Sequence, residues 1–179
     1  MDTRIIAIVF GFLIAGLGNA QVPEGSIPWS ASKRLEWNDF KAQLPPDASS
    51  AATTASGISY TYSANIMHHE VELDFEVTAY FYPNESWYKP TLASENLLQH
   101  ERLHFDISEL FARKMRLKLR QTTFTENVKT EVRKIYRETL KELSDFQDKY
   151  DWETNFSRNE EMQKQWNARI REALTQMPQ

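Results

Sequence analysis

The chain contains no cysteine. That absence excludes disulfides, thiolate metal sites, cysteine nucleophiles and lipid attachment at a cysteine. It also argues against a haem or iron–sulfur protein of the usual kind. Positive charge is short as well. Lys+Arg number 21 against 25 Asp+Glu, leaving a net charge of -4, which argues against a nucleic-acid binder, since these usually carry a basic face. No apolar run is long enough for a comfortable membrane span. What is present suits one domain: 179 residues, 41% hydrophobic and 26% charged, enough to bury a core. Any chemistry must then rest on histidines, carboxylates and hydroxyls.

Residues Met1 to Ala20 read as a secretory signal peptide. Arg4 supplies the positive start, Ile5 to Leu17 form the apolar stretch, and Gly18-Asn19-Ala20 puts small residues at the cleavage site. The expectation is a single domain over 21–179, periplasmic or secreted, with no membrane association after cleavage. Without cysteine such a domain must take its stability from packing.

Two period-two stretches open the domain. Ile58, Tyr60 and Tyr62 alternate with Ser59, Thr61 and Ser63. Val71, Leu73, Phe75, Val77, Ala79 and Phe81 alternate with Glu72, Asp74, Glu76 and Thr78. Each predicts a strand with one face on a core and one in water. Trp29 to Phe40, rich in aromatics, reads as a strand or turn lying on that core. From Ser94, a candidate N-cap, the period becomes helical through Leu97, Leu98, Leu103, Ile107, Leu110, Phe111 and Met115. A second helix is expected from Thr125 to Lys149, a loop from Tyr150 to Arg158, and a third helix from Asn159. Strands first and helices last predict an α+β fold of antiparallel strands packed on about three helices.

The first long helix carries His100-Glu101-Arg102-Leu103-His104. Histidines four apart share one helix face, so both imidazoles can reach one Zn²⁺. The glutamate directly after the first histidine is the residue that, in zinc peptidases, takes a proton from the activated water. Glu101 is therefore the candidate general base, and His100 and His104 the candidate ligands. Two histidines do not complete a zinc site, and a third protein ligand is required. No glycine and third histidine follow His104 at metzincin spacing. Glu126 and Glu131 stand at the separation of a glutamate on a following helix, and His68 and His69 begin the long strand. Asp106 and Glu109 point off the His face. Asp106 fits better as an acceptor behind a ligand histidine.

Several segments in order resemble a bacterial family of predicted secreted zinc-dependent proteases, catalogued mainly as a domain of unknown function. They are Leu35-Glu36-Trp37-Asn38-Asp39-Phe40, the Thr-x-Ser-Gly-Ile-x-Tyr pattern within Ala51 to Tyr62, Leu97 to Ile107, and Tyr150-Asp151-Trp152-Glu153-Thr154 with Gln163 and Trp166 beyond. The resemblance implies an exported, zincin-like metallopeptidase domain acting on peptides or proteins. Family members carry a histidine-glycine pair where this chain has Phe156 and Ser157, and phenylalanine cannot bind a metal. Within the same motif Asp151 becomes the first choice of third ligand, and Tyr150 a candidate donor to an oxyanion. The competing reading is a non-catalytic exported binding module with a degenerate or weak metal site. Trp87, Tyr88 and Trp152 would then belong to its binding surface.

Overall fold

The architecture is organised around one helix. In the computed structural model, which describes residues 22–67 and 70–177, α1 spans Glu95–Gln121. Ser94 is its N-cap, its side chain accepting from the Leu97 amide at 3.1 Å. Such a cap stabilises by about 1 kcal/mol. From Leu103 to Arg113 every residue of α1 is buried. A helix buried all round must be covered on every side. A sheet covers one side, and α2 (Val128–Thr154) and α3 (Glu160–Gln176) cover the other.

The sheet has three antiparallel strands in the order β1-β4-β3, with β1 at Ile27–Pro28, β3 at Ser56–Met67 and β4 at Glu70–Phe81. The β3–β4 register runs from Ser56 opposite Phe81 to Met67 opposite Glu70. Val77, Ala79 and Phe81 are buried, while Glu72, Asp74 and Glu76 face outward. Alternation along β4 thus gives the sheet one wet face and one that packs on α1. Two shorter strands, β2 (Ala52–Thr53) and β5 (Trp87–Tyr88), pair separately. Ser56 and Gly57, just beyond β2, open β3, so this small sheet lies beside the start of the hairpin. The result is the expected α+β arrangement, strands N-terminal and three helices C-terminal.

One local expectation changes. Tyr150–Thr154, read as a loop, forms the last turns of α2. The buried positions Ile135, Thr139, Leu143, Tyr150 and Thr154 carry the helical stripe past Lys149. The helix ends only where Asn155, Phe156 and Ser157 all take left-handed backbone, with φ of 48°, 52° and 73°. Asparagine tolerates this region, but phenylalanine and serine are strained in it. Cross-links hold the turn: the Phe156 amide donates to Asp151 O at 2.9 Å, and Asn96 Nδ2 donates to Ser157 O at 2.6 Å. Trp29 to Phe40, expected as a strand or turn on the core, takes the turn form. It is a run of turns with a 3-10 turn at Trp37–Asp39. Its aromatics still lie on the core, Trp37 stacking on Tyr88 and Phe40 edge-on to Phe81. Trp152 is 79% exposed and so lies on the surface. The signal-peptide segment and the histidines at 68 and 69 lie outside the described residues.

Candidate metal centre

Because α1 is sandwiched, its polar residues are forced to find partners. Among the described residues no buried side-chain polar atom lacks one. Most of these pairings turn out to define one site. His100 and His104, both buried, present their Nε2 atoms 3.3 Å apart. The extra turns of α2 bring Asp151 over the pair. Its Oδ1 lies 3.0 Å from His100 Nε2 and 3.0 Å from His104 Nε2. Four ligand atoms at roughly 2.0–2.1 Å around a tetrahedral ion are roughly 3.3–3.4 Å from one another. The triangle of 3.0, 3.0 and 3.3 Å is therefore close to one face of such a polyhedron. This buried His-His-Asp group could hold a metal ion.

The far side of each imidazole is also occupied. His100 Nδ1 lies 3.0 Å from Gln163 Oε1, and His104 Nδ1 lies 3.1 Å from Gln147 Oε1. An amide oxygen only accepts, so each Nδ1 carries the proton. Each Nε2 of a neutral ring then presents a bare lone pair toward the other and toward the Asp151 carboxylate. Three acceptors at this range repel unless a cation lies among them, whether a proton or a metal ion. His104 shows the pressure. Burial pulls its imidazolium pKa down, but the charge and hydrogen bond of Asp151 outweigh that and hold it up at about 9. Burial likewise pushes the Asp151 carboxyl up, yet the two imidazoles hold it well below the usual carboxylate range.

Tyr150 closes the back of the site. It is fully buried, stacks on His100 with centroids 4.6 Å apart, and donates its hydroxyl to Gln163 Oε1 at 2.8 Å. With its hydroxyl committed there and to His100 O, it braces His100 from behind. Burial pushes its phenol far up, so it stays protonated. Glu101, 4% exposed, is held from the sheet side. Thr54 Oγ1 donates to its Oε2 at 2.7 Å, and the same hydroxyl lies 3.2 Å from the Glu101 carbonyl oxygen.

The other carboxylates considered from sequence fall elsewhere. Asp106 is not behind a ligand histidine. It accepts from Trp29 Nε1 at 2.9 Å and from Arg34 Nη1 at 2.8 Å, fastening the N-terminal segment to α1. Glu109 is buried against Arg113 and Arg116. Glu131 caps the opposite end of α2, accepting from Thr125 Oγ1 at 2.7 Å and from the Thr125 amide at 3.0 Å. Twenty residues of helix, about 30 Å, separate it from Asp151. Glu126 precedes that same end. Sequence reasoning did not single out Gln147. It noted Gln163 only as part of a pattern, because glutamine carries no chemical signature until its neighbours are known.

No curated protein and no solved structure matches the chain. One family does match, described as a bacterial protein of unknown function (DUF922), over residues 47–158. That span runs from the loop before β2 to the turn after α2. It contains Thr54, His100, Glu101, His104, Gln147 and Asp151, while Gln163 lies beyond it. With well over half its length matched, the chain belongs to this bacterial family of unknown function.

Proposed function

We propose that the protein is an exported zinc-dependent metallopeptidase, with His100, His104 and Asp151 as zinc ligands and Glu101 as general base. The observation that carries this reading is the convergence of three acceptor atoms at 3.0–3.3 Å, with a buried glutamate at the next position along the helix from His100. Two neutral nitrogens and one carboxylate oxygen suit Zn²⁺, and three protein ligands leave a fourth position for water or substrate. When bound, the ion would polarise a peptide carbonyl and acidify a water. Glu101 has one carboxylate oxygen engaged by Thr54 and the other available to take a proton and return it to the leaving amine. The Met1–Ala20 segment supports export to the periplasm or beyond. The acidic balance supports a peptide or protein substrate over nucleic acid.

A non-catalytic exported binding module with a degenerate or weak metal site is the second reading. It is favoured by Trp152 and Phe156, exposed at 79% and 41% around Asp151, which offer an apolar contact surface next to the site. One experiment separates the two. Zinc per chain is measured for the chain from Gln21, for His100→Ala and for Glu101→Gln, and each is then tested on a peptide library. One zinc per chain, lost in His100→Ala and kept in Glu101→Gln, with cleavage lost in both variants, is the expected result. Stoichiometric zinc without cleavage of any peptide would favour the module. No zinc in the unaltered protein would end the peptidase reading and leave the module, with its metal site degenerate.

A further inference from the structure

We infer that Gln147 and Gln163 are positioning residues, a pair of amide locks that fix both histidines as Nε2 ligands and set the affinity of the site. The inference rests on the zinc site proposed above and extends it to residues that touch no metal. Each amide is held at both ends. Gln163 is 1% exposed. Its Nε2 donates to Asn167 Oδ1 at 3.0 Å, which leaves its oxygen toward His100 Nδ1 and the Tyr150 hydroxyl. Gln147 Nε2 donates to Ser108 Oγ at 3.4 Å. Ser108 in turn meets Ser56 Oγ at 2.8 Å and donates to His104 O at 3.3 Å. The hydroxyl bonds are mutually consistent: Ser108 accepts from Gln147 and Ser56 and gives its one proton to the His104 carbonyl.

Two consequences follow for the ligands. A histidine whose Nδ1–H is held by an acceptor cannot turn its other tautomer toward the ion, so both Nε2 lone pairs are committed to the Asp151 side. The acceptors are also neutral. Carboxylates in their place would add negative charge behind each imidazole and raise its basicity, whereas amides leave Asp151 as the one charged ligand. A divalent ion here keeps a net charge of about +1 from its three ligands, the condition in which it acidifies water and polarises carbonyls strongly. The site also becomes a product of all three helices: α1 supplies the imidazoles, α2 supplies Asp151 and Gln147, and α3 supplies Gln163.

The test uses Zn²⁺ itself, its affinity read by competition with a chromophoric chelator on the chain from Gln21. Gln163→Leu and Gln147→Leu are compared with Gln163→Glu and Gln147→Glu. Each leucine variant is expected to bind zinc about 10–100-fold more weakly. Each glutamate variant is expected to bind at least as tightly as the unaltered protein, because it still accepts the Nδ1 proton. In the zinc-loaded protein, two-bond ¹⁵N–¹H spectra should show the proton on Nδ1 of both histidines. The leucine variants should lose protection of that proton on the facing ring alone. Gln147 is partly exposed, so its leucine variant keeps the test open should Gln163→Leu fail to fold. Thermal melting of the metal-free variants separates a general loss of stability from a loss of affinity. Zinc bound through Nδ1, or equal zinc affinity in a folded leucine variant, overturns the inference. Neither readout involves peptide cleavage. A protein that binds zinc as described but cleaves nothing refutes the proposed activity and leaves the locks standing.

Discussion

Metal binding at this site must compete with a proton, and the size of that competition follows from the geometry. The His104 imidazolium, held at about 9 by Asp151 against the pull of burial, is about 99% protonated at pH 7. A metal ion needs the Nε2 lone pair that this proton occupies. Binding at pH 7 should release about one proton from His104 per ion, and the displacement lowers apparent affinity on the order of 100-fold. Affinity should rise about tenfold per pH unit up to pH 9 and then level off. Asp151 stays ionised throughout, because the imidazoles hold its carboxyl well below the usual range. Calorimetric titration at pH 7 in two buffers of different ionisation enthalpy gives the proton count. Chelator competition from pH 6.5 to 9 gives the slope. A proton count near zero, with affinity flat across that range, would falsify the account of three acceptors crowding one cation.

The metal-free protein has its own pH profile. A raised histidine pKa stabilises fully below the unfolded value of about 6.5 and ceases to do so as pH climbs through 9. The melting temperature without metal should therefore fall between pH 6.5 and 9, by the equivalent of about 3 kcal/mol, and saturating zinc should abolish the fall. Thr54→Val removes a hydrogen bond to the Glu101 carboxylate. It should leave zinc affinity unchanged and lower kcat/KM about 10–100-fold, with Thr54→Ser restoring most of it. Ser157→Gly relieves left-handed backbone at φ 73° and should stabilise by about 0.5–1 kcal/mol in chemical denaturation, whereas Ser157→Val should destabilise.

Helical spacing and motif agreed on α1, and there the reading from residues was nearly complete. Ser94 caps it, its apolar stripe is buried, and His100, Glu101 and His104 point where a helix must place them. Asp151 was reachable only through its motif, because Tyr150–Thr154 looks like a loop: Asp151, Trp152 and Glu153 dilute the apolar signal. The stripe is nonetheless continuous, since Phe146, Tyr150 and Thr154 follow one another four apart. Following it would have extended α2 by the very turn that delivers Asp151. Asp106 illustrates the opposite failure. Its sequence neighbours suggested service to a histidine, but its actual partners, Trp29 and Arg34, lie 77 and 72 residues away. Contacts at that range depend on how the chain returns to α1, which no local pattern records. The amide locks were invisible for the same reason, since Gln163 meets His100 across 63 residues.

The distance along the chain between the ligands has a meaning of its own. His104 and Asp151 are 47 residues apart, and an ion bound between them would close that loop much as a disulfide would. A chain without cysteine has no permanent closure of this kind. A covalent cross-link of that length would contribute about 4 kcal/mol whatever the surroundings. An ion contributes according to its free concentration, about 2.7 kcal/mol at a hundredfold excess over Kd and nothing when a chelator removes it. If the site holds an ion, resistance of the folded chain to proteolysis would rise with free metal concentration, and chelation should make it easier to cleave.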